Sequence, residues 1–99
     1  MKELEEVKLF KELLKLANYI NPKDSEYKRI YIGEVEGFKN KTLFDIFIKK
    51  DLRLSKPKYK KILEDLIFDQ FLFPIEDTEI YILNPLAVAI IEDNTFNIN

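Results

Sequence analysis

Ninety-nine residues with 46% apolar and 34% charged side chains, and only two glycines and four prolines, describe one folding domain rather than a disordered or fibrous chain. No cysteine and no histidine are present, so disulfides, thiolate zinc sites, imidazole metal ligands and the usual nucleophile–imidazole machinery are excluded. The net charge is −2, yet residues 49–61 carry Lys49, Lys50, Arg53, Lys56, Lys58, Lys60 and Lys61 against Asp51 alone, a local +6 that leaves −8 for the remainder.

Residues 3–20 predict a long amphipathic helix. Leu4, Val7, Leu9, Phe10, Leu13, Leu14, Leu16, Ala17 and Ile20 cover about half its circumference, and Lys8, Lys11, Glu12, Lys15 and Asn18 take the other side. A stripe of roughly 100° suffices to meet one core. The surplus is either wrapped deeply by the domain itself or presented to a second copy, and Leu9, Leu16 and Ile20 are the candidate dimer contacts. Asn21-Pro22 closes the helix, because proline pushes the preceding residue out of the α region.

Residues 27–32 are aromatic and β-branched and read as a strand leading to Gly33 and Gly37. Residues 41–50 predict a second helix, capped by Asn40 or Thr42, that buries Leu43, Phe44, Ile46, Phe47 and Ile48.

The segment from Leu52 to Ile67 is the most informative, and it predicts a helix over residues 55–69. Ser55 is a suitable N-cap, Pro57 fits the first turn, and Tyr59, Ile62, Leu63, Leu66 and Ile67 recur at i, i+3, i+4, i+7 and i+8. Lysines gather in the first turns and Glu64 and Asp65 follow, opposite to the arrangement a helix dipole favours, so something other than helix stability placed them. Tyr59 belongs to the apolar series and is expected in the core rather than on a ligand. Beyond this helix, residues 71–84 predict a hairpin with the acidic tip Glu76-Asp77-Thr78-Glu79. Asn84-Pro85 closes it, residues 86–91 continue as an apolar strand or short helix, and residues 92–99 are expected to be a frayed tail.

The order helix, strand, helix, short turn, basic helix, hairpin resembles the winged helix-turn-helix family of α+β proteins. Leu54-Ser55-Lys56, followed by Tyr59, Ile62-Leu63 and Leu66-Ile67, is similar to the start of that family's recognition helix. Tyr81-Ile82-Leu83-Asn84-Pro85 is similar to the closing wing strand of some small plasmid replication proteins. The resemblance implies a dimeric, non-enzymatic regulator of double-stranded DNA, of plasmid or viral type, acting on transcription or a related process. Its second helix would enter the major groove, with Ser55, Lys56, Lys58, Lys60, Lys61 and Arg53 facing DNA and Lys39 and Lys41 on a phosphate. Glu76, Asp77 and Glu79 depart from the pattern, since phosphates would repel them. The alternative is a winged-helix interaction module, an adaptor or inhibitor, whose acidic hairpin and flanks meet a protein partner. Under either reading no cofactor or metal is expected. MKELEEVK is no secretory signal and no apolar run spans a bilayer, so the expected location is cytoplasmic.

Overall fold

The computed structural model describes residues 4–22 and 27–97, and within them the chain forms an α+β fold of four helices and a three-stranded antiparallel sheet. Helix α1, Glu5–Ile20, starts with two acids that complement its dipole and stops where the Asn21 N–H bonds the Ala17 carbonyl at 2.9 Å. The predicted first residue of this helix, Glu3, lies outside the described residues.

The width of the α1 stripe is explained by the chain itself. Leu9 (0% exposed) and Leu16 (3%) are buried with Phe10, Leu13, Leu14 and Ala17. This corrects the expectation that Leu9 and Leu16 form a dimer surface, because the domain's own core consumes them. Of the three candidates only Ile20, at 50% exposed, remains on the surface.

Strand β1, Arg29–Tyr31, is shorter than the predicted 27–32 and inserts Ile30 into the core. After it, Gly37 (φ 85°) and Asn40 (φ 59°) turn the chain, so Asn40 is a turn residue and Thr42 is the cap. The Thr42 N–H donates to an Asp45 carboxylate oxygen at 2.9 Å, and the Asp45 N–H reaches the Thr42 hydroxyl at 3.4 Å. The helix that follows opens as a π-helical segment, Phe44–Ile48, and continues as α2, Lys49–Leu52. Its wider winding accompanies a crowded apolar sequence, with Leu43, Phe44 and Ile48 buried and Ile46 and Phe47 half-buried.

Arg53, in the left-handed region at φ 55°, ends α2 and begins a three-residue turn to α3, Lys56–Phe68. The Ser55 hydroxyl accepts the Lys58 N–H at 3.4 Å, and Tyr59, Ile62, Leu63 and Leu66 are buried as the spacing predicts. Strands β2, Leu72–Pro74, and β3, Ile80–Leu83, make the hairpin. β3 lies centrally in the order β1-β3-β2, pairing Ile30 with Tyr81 and Leu72 with Leu83. The core-facing Ile30, Leu72 and Leu83 meet α1 and α3 in one cluster.

Of the two forms expected for residues 86–91 the helical one is adopted, and the helix continues to residue 97 where the sequence predicts a frayed tail. Helix α4, Pro85–Asn97, begins with a proline whose missing N–H costs nothing there. The Asn84 side chain accepts the Leu86 N–H at 2.9 Å and donates to the Gln70 carbonyl at 2.8 Å, pinning the start of α4 to the end of α3. Ala87 and Val88 then join the core, which gives the segment a tertiary reason to stay helical. Residues 98–99 of the predicted tail lie outside the described residues.

Candidate nucleic-acid interface

The two short helices and their turn carry the basic run, but the structure divides its cations between two sides of α3. Buried Tyr59, Ile62, Leu63 and Leu66 fix the inner face, so the exposed residues fall on two flanks and an outer ridge.

The first flank looks toward the sheet. A groove of about 350 Å³ runs there, floored by Phe44, Tyr59 and Tyr81 and bordered by Thr42, Lys56, Lys60 and Glu64. Lys56, Lys60 and Glu64 stand four residues apart, one turn after another along this border. The Tyr59 ring stacks on Phe44 with centroids 4.6 Å apart and planes at 28°, which places Tyr59 in the core as its spacing predicts. Burial, with Tyr81 and Asp45 nearby, pushes the Tyr59 phenol up to about 12, so it stays a neutral donor. Asp45 is held below the ordinary carboxylate range first by its hydrogen bonds from Thr42, and the charges of Lys56 and Lys41 add to this. Lys41 directly precedes Thr42, which borders this groove.

The second flank looks toward the start of α1. A larger groove, about 900 Å³, is bordered by Glu5, Glu6, Lys58, Lys61, Asp65 and Asp69. The Lys58 ammonium lies 3.2 Å from a Glu5 carboxylate oxygen, and that of Lys61 lies 3.3 Å from Asp65. Both lysines remain more than half exposed, at 52% and 71%, yet each already has an acid at hand. Acids outnumber lysines on this flank. Burial first, then the nearby Asp69 and Asp65, raise the Glu6 carboxyl above its usual range despite Lys61.

Among the described residues, eight cations enter no ion pair within 4 Å: Lys8, Lys39 and Lys41, and the five that follow the two helices through their connecting turn, Lys49, Lys50, Arg53, Lys56 and Lys60. Ser55 is exposed, with its oxygen engaged as the α3 cap. Lys39 and Lys41 are exposed in the loop before the second helix, where the Lys41 carbonyl accepts the Val35 N–H at 2.7 Å. At the hairpin tip Glu76, Asp77 and Glu79 are exposed, and the Tyr31 hydroxyl donates to Glu79 at 3.3 Å.

One ionic cluster escapes sequence reasoning. Glu12 is only 7% exposed, and Lys15 bridges it at 3.2 Å to Asp51 at 3.6 Å, tying α1 to α2. One Glu12 oxygen is buried without a hydrogen-bond partner, and burial, its main perturbation, raises the carboxyl above its usual range. Helical spacing had put Glu12 on the polar side, and only the position of α2 reveals its burial.

Among the described residues no group of three or more acids is arranged to hold a metal ion, and no helix is long and apolar enough to cross a membrane. Comparisons with protein-family models, with characterised proteins and with solved structures find no match to this chain.

Proposed function

We propose that this protein is a non-enzymatic DNA-binding regulator of winged helix-turn-helix type that sets α3 in the major groove and acts by occupying its site. The observation that carries the reading is the set of unpaired cations, Lys49, Lys50, Arg53, Lys56 and Lys60, running through α2, the turn and the first turns of α3. In a chain of net charge −2, concentrating unpaired cations on one helix–turn–helix unit is the electrostatic footprint a polyanion requires. The order of elements, with β2 and β3 as a hairpin after α3 and β1 completing the sheet, supports the same family.

In this reading Lys49, Lys50, Arg53 and Lys56 take phosphates, Lys41 and Lys39 reach the adjoining backbone, and Lys60 faces the groove. Lys58 and Lys61 contribute less, because a DNA phosphate must compete with Glu5 and Asp65 for them. The hairpin tip stays off the duplex, since its acids would meet phosphate repulsion. A dimer remains part of the proposal through Ile20 and not through Leu9 or Leu16.

Anisotropy of a labelled random duplex, titrated with protein at low and at raised salt, tests the reading. Binding that weakens steeply with salt is the expected result. Absence of binding at low salt overturns it in favour of an interaction module. The observation favouring that second reading is the acid-rich groove between α1 and α3, which suits a cationic protein partner.

A further inference from the structure

We propose that α3 selects a G·C-containing site through two residues, Lys60 and Glu64, with Glu64 as the discriminating one; this rests on the DNA-binding reading above. The charged side chains of α3 are the exposed Lys56, Lys58, Lys60, Lys61 and Glu64 and the half-buried Asp65. Arginine, asparagine and glutamine are missing from the helix, so neither the forked contact to guanine nor the paired donor–acceptor contact to adenine is available. Lysine only donates and a carboxylate only accepts. In the major groove, guanine offers two adjacent acceptors to an ammonium. The cytosine amino donor has an acceptor on one side only, the paired guanine O6, whereas the adenine amino group lies between its own N7 and thymine O4, whose lone pairs both repel a carboxylate. The polar inventory of α3 therefore matches guanine and cytosine.

The geometry narrows the choice of residues. Lys58 and Lys61 are held by Glu5 and Asp65 on the flank facing α1. Asp65 is accordingly occupied, and Lys56 stands at the very start of the helix, where backbone phosphates are met first. Lys60 and Glu64 border the same sheet-side groove, one turn apart, and form no ion pair with each other. Donor and acceptor are thus both open. Their separation along the helix axis is about 6 Å, close to two base steps of about 3.4 Å each, so a helix lying along the groove brings them to base pairs two steps apart. A carboxylate on a surface facing phosphates is unfavourable unless it accepts a base proton, which makes Glu64 the residue that punishes a wrong base.

The test is selection of bound duplexes from a random pool with the full chain, in wild type and as Glu64→Ala, followed by affinities for the selected site and for a copy with each G·C pair exchanged for A·T. The wild type is expected to enrich G·C pairs and to lose about five- to twentyfold in affinity on exchange at the position read by Glu64. Glu64→Ala is expected to abolish the preference at that one position while keeping or raising affinity for unrelated duplex. The position is exposed on a helix, so the variant keeps the wild-type circular dichroism spectrum. Salt-dependent binding without any enriched base pair, or an unchanged preference in Glu64→Ala, overturns the inference and leaves the DNA-binding reading standing. Failure of the wild type to bind any duplex at low salt overturns that reading and this inference together.

Discussion

The two flanks of α3 are built from the same short stretch of sequence and differ in what the rest of the fold sets beside them. On the sheet side, Lys56 and Lys60 border, with Glu64, a groove floored by aromatic rings, neither lysine is ion-paired, and nearby Asp45 is already engaged by Thr42. On the α1 side, Lys58 and Lys61 sit among Glu5, Glu6, Asp65 and Asp69. A tally of lysines treats all four alike. The difference teaches that the availability of a surface cation depends on its neighbours: for Lys58 these come from as far away in sequence as Glu5, and for Lys61 from the next turn of its own helix.

The largest effects should come from the supports beneath each flank. Ile62 and Leu63 are both buried, the former beneath the α1-side groove and the latter beneath the sheet-side groove. Ile62→Ala and Leu63→Ala should each destabilise the fold by about 2–5 kcal/mol in urea unfolding, through lost burial and a residual cavity. A loss below about 0.5 kcal/mol for either would mean that α3 is not anchored on that side.

Charge reversal of the flanks comes next. Lys56→Glu with Lys60→Glu should lower duplex affinity by roughly two orders of magnitude at low salt, whereas Lys58→Glu with Lys61→Glu should cost distinctly less. Equal losses would erase the distinction drawn between the flanks.

Alkaline stability probes the floor of the sheet-side groove. The Tyr59 phenol titrates near 12 in the fold and near 10 when unfolded, so the folded chain binds the extra proton between those values. Its contribution is complete below pH 10 and is lost as pH rises toward 12. Denaturant midpoints should fall across that window in the wild type, and Tyr59→Phe should flatten the decline. An identical profile in the variant would place the tyrosine outside the stacked core.

The smallest effects concern acids. Glu5→Gln releases Lys58 and should strengthen DNA binding by no more than about fivefold, the range of an exposed ion pair. Glu76→Lys with Asp77→Lys at the hairpin tip should leave affinity unchanged or improve it, because repulsion is removed; a marked loss would place those acids in a partner interface.

Much of the fold is legible in the residues. Tyr59, Ile62, Leu63 and Leu66 declare the buried side of α3 by spacing alone, and Ser55 marks its start. The apolar runs Phe71-Leu72-Phe73 and Ile80-Tyr81-Ile82-Leu83 on either side of a polar tip likewise announce the hairpin. The sequence leaves residues 86–91 open between strand and short helix because Asn84-Pro85 is equally a way to end a strand and a way to cap a helix. Only the bonds from Asn84 to Leu86 and Gln70 decide between them. The fate of Leu9 and Leu16 is hidden for a related reason: periodicity gives the width of an apolar stripe and not what covers it. At the candidate site, clustering shows which segment is basic. The pairing of Lys58 with Glu5 joins residues far apart in the chain, so no local pattern signals it.

The most direct test of the central claim is the salt dependence of duplex binding by two alanine pairs, measured alongside the wild type. If the sheet-side flank meets the DNA, Lys56→Ala with Lys60→Ala reduces the slope of log affinity against log salt by about one to two units. Lys58→Ala with Lys61→Ala should then reduce it by less than about one. A larger change in slope for the Lys58 and Lys61 pair, or no salt-dependent binding by the wild type, would contradict the account.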